Sequence, residues 1–431
     1  MLVRCRHKID MLNEWQVAVP RSEGITHMPA FGDCDVARLK SRRRVHPCAA
    51  KDDKYTVWRA QELMIPGILM CAVAMPGPFL QFMSSRNKVL MRLYQCLLYV
   101  GFSAYEAYRL KEFVEDYMRS EKTSLICFFH SLVNTFLFPF IYAYVARRST
   151  SLDLLLTTWR DESGDVAFSQ HRCLAKHRLL AGAYLAATAL LVLGFHTLNT
   201  VRVCYEISWR YSNRTLPIKS VIFLGKTAHH YVLQTMYCGL ESLAFSLMFL
   251  LWILSSHLTA QVKNIPLLTN ATVALIREKY RRLCVVIEAT AHFLNSLLFL
   301  FFFRTAFDFM SSVIFYSIQD GRETKLWILA YEGLLTLINV FQNTAISEMS
   351  GKLSLEMSSA LYEVSKVPAM PEAYNDLLLF LQVYKEKPEA MAGCGVLRVD
   401  RALMFKLSGS TVTIVLILFQ LDPNLSHKVS F

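Results

Sequence analysis

Long apolar stretches, rather than alternating apolar and polar positions, dominate the chain from residue 89 onward. A helix needs about 20 apolar residues to cross the roughly 30 Å hydrocarbon layer of a bilayer. Seven stretches are long enough: 89–109, 125–145, 179–202, 233–256, 291–317, 326–346 and 403–421. The pattern therefore predicts an all-α polytopic membrane protein with seven transmembrane helices.

An eighth apolar stretch, at about 62–83, has a different character. It contains Pro66, Pro76, Gly77 and Pro78, and proline interrupts helical hydrogen bonding. We therefore expect a short lead-in helix within 62–88, packed against the protein or lying at the membrane interface, and not an eighth crossing.

Composition supports a membrane protein and excludes several other classes. Hydrophobic residues make up 54% of the chain and charged residues only 19%, whereas soluble domains carry about 25% charge. The 11 cysteines are scattered without a C-x-x-C pair, so we expect mostly unpaired buried thiols and no metal site. No HExxH or GxSxG motif occurs. We expect no catalytic residues, no cofactor and no enzymatic activity.

Charge asymmetry predicts the orientation, because Lys and Arg in short loops stay on the cytoplasmic side. With a cytoplasmic N-terminus, the inner segments carry 29 Lys and Arg residues and the outer segments carry 10. The basic run at 41–44 fits a juxtamembrane patch that faces solvent or lipid, and not a nucleic-acid site. The sequence therefore predicts a cytoplasmic N-terminus and an extracellular C-terminus.

Glycosylation sequons test this orientation weakly, because N-x-[ST] is modified only in the lumen. Asn213 and Asn424 fall outside in this topology and are predicted glycosylation sites, whereas Asn270 falls inside.

Polar residues are concentrated in the outer halves of the predicted helices. Polar groups within a membrane are costly and face protein or water, so this bias predicts a water-accessible pocket entered from outside. Eight residues are candidate ligand contacts: His130, Asn134, His196, Asn199, Glu241, Arg304, Asp308 and Glu332.

Structural roles would explain the same residues. Arg304 and Asp308 are spaced i,i+4 and would pair along one helix face. Glu241 and Glu332 would each accept a hydrogen bond from a hydroxyl of a neighbouring helix. Single histidines are commonly hydrogen-bonded core residues.

The last predicted helix, 403–421, carries polar and small residues at helical spacing on an apolar background. Gly409, Thr413 and Gln420 lie on or near one face with Leu416 and Ile417. Such a stripe can line a pore when several copies surround an axis, and a carboxylate at the mouth, here Asp422, favours cations. Alternatively, Thr413 bonds its own backbone and Gln420 caps the helix end.

The C-terminal sequence CGVLRVDRALMFKLSGSTVTIVLILFQL, residues 394–421, resembles the signature of the insect gustatory receptor family. Seven residues match, and they are Cys394, Gly395, Asp400, Leu403, Gly409, Thr413 and Gln420. Ile414 replaces the usual Tyr and Leu421 the usual Phe. The resemblance is specific over about the final 140 residues.

The resemblance implies a seven-helix subunit, four of which assemble, as homomers or with other gustatory receptors, around a pore lined by the last helix. A small tastant bound in the outward-facing pocket would open a non-selective path for cations across the plasma membrane of sensory neurons. The family's gate positions correspond to Leu416, Ile417 and Gln420.

Taken together, these expectations divide the chain into six regions. They are a cytoplasmic segment (1–61), the lead-in helix (62–88), a six-helix ligand-binding region (89–346), a cytoplasmic anchor and assembly segment (347–402), the pore-lining helix (403–421) and an extracellular tail (422–431).

Other functions remain open at this point. A G-protein-coupled receptor also has seven spans but requires an extracellular N-terminus, and a transporter would show an inverted repeat, which we do not find. A related odorant receptor shares the inverted topology. Val415 stands where sugar-responsive receptors usually have Glu, which disfavours an ordinary sugar receptor but leaves bitter compounds, fructose-like ligands and carbon dioxide as alternatives.

Overall fold

A computed structural model describes residues 65–74, 88–119, 139–145, 147–148, 155, 171–210, 215–318, 322–385, 392–393, 397–399 and 401–421. These residues belong to the second of two compact units, 52–431. His130, Asn134, Asn213, Asp422 and Asn424 lie outside the described residues, as do the first 61 residues of the chain.

The described part of the chain is almost entirely helical. Its named helices are α1 (Ile65–Ala74), α2 (Lys88–Arg119), α3 (His171–Arg210), α4 (Leu216–Lys263), α5 (Asn270–Ile318), α6 (Arg322–Lys366), α7 (Pro371–Lys385) and α8 (Arg401–Leu421). Residues 139–145 are also helical. Each predicted span thus coincides with helix wherever it is described.

Three helical stretches among the described residues are long and apolar enough to cross a bilayer: Leu179–Ser208, Leu216–Lys263 and Asn270–Met310. The full helices α4, α5 and α6 contain 48, 49 and 45 residues. At 1.5 Å per residue each is about 70 Å long, more than twice the thickness of the hydrocarbon layer. Each of the three helices is therefore long enough to extend beyond a bilayer.

Helix α4 is the centre of the fold. Of its most apolar 18-residue stretch, 94% is buried. The helix packs against α1, α2, α3, α5 and α6. It begins after Thr215, with Pro217 in its first turn, and ends at Lys263, with Asn264 as the C-cap residue. Proline is favourable there because the first turn has no internal acceptor for its backbone N–H groups. A helix that is apolar on all sides is expected to be enclosed by others.

Glycines bring α1 very close to α4. A Cβ atom at Gly67 would lie 2.8 Å from the backbone nitrogen of Leu243, and one at Gly239 would lie 2.9 Å from the backbone nitrogen of Cys71. Small residues permit such backbone contact between membrane helices. The helix predicted within 62–88 is therefore packed into the bundle over residues 65–74.

Helices α4, α5 and α6 extend beyond the predicted spans, and two loops at their ends contact each other. Leu268, between α4 and α5, donates to Pro368 and accepts from Met370, with N···O distances of 2.8 and 2.9 Å. Thr269 and Thr272 cap the start of α5, because each backbone N–H bonds the other residue's hydroxyl. Tyr280, Phe380 and Tyr384 pack ring against ring beside these loops, joining α7 to α5.

A short antiparallel hairpin precedes the last helix. Strand β1 (Ala392–Gly393) pairs with β2 (Leu397–Arg398), with Ala392 opposite Arg398. The intervening residues, which include Cys394 and Gly395 of the C-terminal motif, lie outside the described residues, as does Asp400. Helix α8 then packs on α5 and α6.

Candidate ligand-binding site and pore helix

A charged cluster is buried between α4, α5 and α6, and Arg304 is at its centre. Arg304 and Asp308, spaced one turn apart on α5, are 5% and 6% exposed. Arg304 Nε lies 3.2 Å from Asp308 Oδ2, and Arg304 Nη2 donates to Gln234 Oε1 of α4 at 2.9 Å. The pairing along one helix face is therefore present, and it also joins α5 to α4.

Two further contacts hold the same ion pair. Asn339 of α6 donates from Nδ2 to Asp308 Oδ2 at 2.9 Å. The guanidinium carbon of Arg304 lies 3.5 Å from the centroid of the Tyr237 ring, a cation–π contact. Because charge buried in the bundle is costly unless it is paired and hydrogen-bonded, these partners allow the pair to remain within an apolar bundle.

Glu241 differs from its neighbours because it is buried without a hydrogen bond. Its side chain is 0% exposed, and neither carboxylate oxygen has a hydrogen-bond partner among the described residues. It interacts electrostatically with Arg304 and Asp308. The hydroxyl partner that would give Glu241 a structural role is therefore not found in the described part of the chain.

Glu332, by contrast, has such a hydroxyl partner. The Ser312 hydroxyl lies 3.3 Å from Glu332 Oε2 and 2.7 Å from the Asp308 carbonyl oxygen. This contact ties the start of α6 to α5. Glu332 also interacts electrostatically with Asp308 and Arg202, so it connects the buried cluster to a second, outer group of polar residues.

This second group, called the outer group because it lies toward the predicted extracellular side, is centred on Arg202 of α3. Its Nη2 lies 3.3 Å from Asn199 Oδ1 and 3.3 Å from His230 Nε2. Its guanidinium carbon lies 4.3 Å from the centroid of the Tyr331 ring. Asn199, a predicted ligand contact, is therefore buried as a partner of Arg202.

His196 is placed beside aromatic rings on the same side of the bundle. Its ring centroid lies 4.5 Å from that of Tyr231 and 5.7 Å from that of Phe195. It is half-buried, and its Nε2 has no hydrogen-bond partner among the described residues. His196 remains a candidate contact at the edge of the outer group.

The structure thus brings four predicted residues, Glu241, Arg304, Asp308 and Glu332, into one connected group. Gln234 and Arg202 were missed by the sequence interpretation because they lie at the ends of predicted spans, where polar residues are common. Tyr237 and Tyr331 were missed because aromatic residues in membrane helices carry no distinguishing pattern.

The pore candidates on α8 are in a different environment. Leu416 and Ile417 are 57% and 46% exposed, and Thr413 and Gln420 are also exposed. The Thr413 hydroxyl donates to the Gly409 carbonyl at 2.9 Å, so it satisfies its hydrogen bond within the helix. Thr411, on the opposite side, is 5% exposed and faces the bundle.

No group of three or more His, Cys, Asp or Glu side chains that could hold a metal ion occurs within the described ranges.

Comparison with known proteins identifies the fold but no sequence family. No protein-family profile and no curated protein matches the chain. The structure is similar to that of the insect olfactory receptor OR5 from Machilis hrabei in complex with eugenol. The TM-score is 0.62 at 12% identity, over 86% of this chain and 100% of the receptor chain.

The structure of that receptor without eugenol gives the same result, with a TM-score of 0.62 at 11% identity over 85% of this chain and 100% of the receptor chain. The similarity confirms the predicted all-α, seven-helix membrane fold, whereas the orientation and the division into functional regions stay predictions. The chain therefore has the fold of an insect olfactory receptor, which confirms at the level of fold the resemblance to insect seven-helix chemoreceptors.

Proposed function

We propose that the chain is a subunit of a ligand-gated, non-selective cation channel of the insect chemoreceptor type. The observation that carries the proposal is the buried cluster of Arg304, Asp308, Gln234 and Asn339 in a fold shared with an olfactory receptor. A small ligand site typically presents a few fixed polar groups on an apolar wall. The cluster has this composition, and the related fold is one that binds a small aromatic molecule, eugenol.

The pore in this proposal is formed by α8 of several subunits. Leu416, Ile417 and Phe405 are exposed on the single chain, and exposed apolar surface of this kind requires lipid or another subunit. Four copies, or copies of related receptors, would enclose the face that carries Thr413, Leu416, Ile417 and Gln420. A structural change caused by ligand binding between α3, α4, α5 and α6 would be transmitted directly to the pore helix, because α8 packs on α5 and α6.

Within this group we assign the chain to the gustatory branch, acting at the plasma membrane of sensory neurons. Thr413 and Gln420 stand at the positions expected from the C-terminal signature. An olfactory receptor subunit is the second candidate, and the similarity to an olfactory receptor that binds eugenol favours it. Calcium or current responses to eugenol and volatile ligands, compared with a panel of non-volatile tastants, distinguish the two.

Whole-cell recording from cells that express the chain tests the channel directly. The expected result is a tastant-evoked current that reverses near 0 mV when Na⁺ and K⁺ are the main cations, because the path does not select between them. The recording must use an excess of internal GDP analogue, which blocks G-protein signalling. A response abolished by that analogue would contradict the channel and favour a G-protein-coupled receptor.

An epitope tag at residue 5 provides an independent test of topology. Staining only after permeabilisation is expected for a cytoplasmic N-terminus. Staining of intact cells would contradict the inverted topology on which the pore assignment depends.

A further inference from the structure

Glu241 is an acidic side chain in the middle of the bundle, and within the part of the chain that the structure describes it lacks the hydrogen-bond donors that a buried carboxylate needs. The side chain is fully buried, and its two carboxylate oxygens have no hydrogen-bond partner among the described residues. An ionised carboxylate in such surroundings is unfavourable unless a cation or hydrogen-bond donors accompany it. A positively charged N–H donor would meet both requirements.

The two arginines of this region direct the hydrogen bonds that they make to groups other than Glu241. Arg304 directs Nε to Asp308 and Nη2 to Gln234. Arg202 is held by Asn199 and His230. Arg304 therefore faces two carboxylates, Asp308 and Glu241, with a hydrogen-bonded contact to only one of them. When both carboxyls are ionised, Arg304 neutralises only one of them, so a cationic ligand would stabilise the other.

Aromatic rings lie beside the same carboxylate. Tyr184 of α3 interacts electrostatically with Glu241. Its ring stacks on Phe245, one turn after Glu241 on α4, with centroids 3.6 Å apart, and on Phe341 of α6 at 5.4 Å. The rings stack on one another and form an apolar wall, against which the hydrocarbon part of an organic amine would pack. A carboxylate beside stacked aromatic rings is therefore suited to an ammonium group on an apolar ligand.

Arg304 offers one further group to such a ligand. Its Nη1 is buried and has no hydrogen-bond partner among the described residues. An oxygen acceptor placed near the amine of the ligand would accept from Nη1 while the ammonium group donates to Glu241.

We propose that Glu241 is the anchoring residue of a site for protonated organic amines, with the Tyr184 ring and its stacked neighbours Phe245 and Phe341 as the apolar wall. This inference rests on the proposed function, since it names the ligand class of the same pocket. The amine N–H groups donate to the Glu241 carboxylate, and no covalent step is involved. Neutral ligands of the same shape bind this site more weakly because they leave Glu241 unpaired.

The test compares phenethylamine with 2-phenylethanol, which has nearly the same shape but no charge, on purified receptor in detergent. Thermal unfolding and direct binding are measured for the wild type, Glu241→Gln and Glu241→Asp. Glu372→Gln, an exposed carboxylate at the start of α7, is the matched control. Because a charge-assisted hydrogen bond is lost, we expect Glu241→Gln to weaken amine binding about tenfold or more and to leave 2-phenylethanol binding unchanged.

Glu241→Asp retains the charge and is expected to keep the preference for the amine. If Glu241→Gln does not fold, the comparison of amine and alcohol on the wild type still decides the matter. Equal binding of the two ligands, no binding of phenethylamine, or stabilisation by Na⁺ alone would overturn the proposal.

The binding test and the channel test can fail separately. Amine binding that depends on Glu241, without any evoked current, would retain the amine site and contradict the channel. Tastant-evoked currents in a receptor that binds phenethylamine and 2-phenylethanol equally would retain the channel and contradict the amine site.

Discussion

The buried cluster between α4, α5 and α6 and the exposed face of α8 depart from the rest of the bundle in opposite ways. Around Arg304, polar groups lie inside an apolar bundle and are held by partners from three helices. On α8, apolar side chains such as Leu416 face outward from a single chain. The first arrangement is completed within one subunit or by a small ligand, whereas the second requires a surface outside the subunit.

The largest expected effect is on the ion pair itself. Arg304→Leu leaves Asp308 and Gln234 without their partner, and breaking a buried pair costs about 3–5 kcal/mol. A large decrease in the melting temperature of the purified receptor is expected. Arg281→Leu, at an exposed pair with Glu278, is the matched control and should cost less than about 1 kcal/mol.

A double variant sharpens this interpretation. Arg304→Leu combined with Asp308→Leu removes both charges and should recover part of the lost stability. Equal melting temperatures for Arg304→Leu and the control would show that the pair contributes nothing to the bundle.

The contact between α1 and α4 is expected to give the next largest effect. Gly239→Val introduces atoms where a Cβ alone would lie 2.9 Å from the Cys71 backbone nitrogen, and overpacking of this kind costs about 1–3 kcal/mol. Gly351→Val is the matched control, because a Cβ there meets nothing within 4 Å. Thermal unfolding of the two variants should differ, and identical curves would show that α1 is not firmly packed on α4.

The sequence predicted the helices well because transmembrane helices follow from long apolar runs. It singled out Glu241, Arg304, Asp308 and Glu332 as candidate ligand contacts for a related reason, since a charge in an apolar run is visible without any knowledge of contacts, and their role in ligand binding stays a prediction. These four residues are joined in the structure through side chains that the sequence did not associate with them. Asn339, for example, was not among the eight candidate contacts but donates to Asp308.

Other features were not predictable because they depend on which helices pack together. The approach of Gly67 to Leu243 requires α1 to lie against α4. The sequence alone does not distinguish Gly67 from a glycine such as Gly333, where a Cβ atom would have no neighbour within 4 Å. The length of α5 beyond its span was also missed, because 270–290 reads as an ordinary loop with charged residues. The two threonines that cap its start, Thr269 and Thr272, are a local signal that could have revealed it.

A smaller effect is expected for Glu332, at the connection between the buried cluster and the outer group. Glu332→Ala removes the acceptor of Ser312 and an electrostatic partner of Arg202. We expect the half-maximal concentration of an activating tastant to shift about tenfold, equivalent to about 1.4 kcal/mol. Asp308→Ala should shift the dose response further. Dose–response curves at matched surface expression show which of the two variants has the larger shift. Unchanged curves for both variants would place the ligand elsewhere.

The smallest effect on stability is expected on α8. A variant there also gives the sharpest test of the difference between the buried cluster and the exposed face of α8. Gln420 is exposed, so Gln420→Ala should change the melting temperature of the subunit little, within about 0.5 kcal/mol. It should nevertheless change the current, because the same side chain would border the ion path.

Surface biotinylation and single-channel recording separate the two readouts for Gln420→Ala. Normal surface expression with altered conductance or open time is the expected result, since in the proposed channel the residue would act between subunits and not within one. Wild-type currents would remove Gln420 from the pore. A loss of surface protein would mean that the exposed face of α8 contributes to folding, so the distinction between the two regions would fail at this helix.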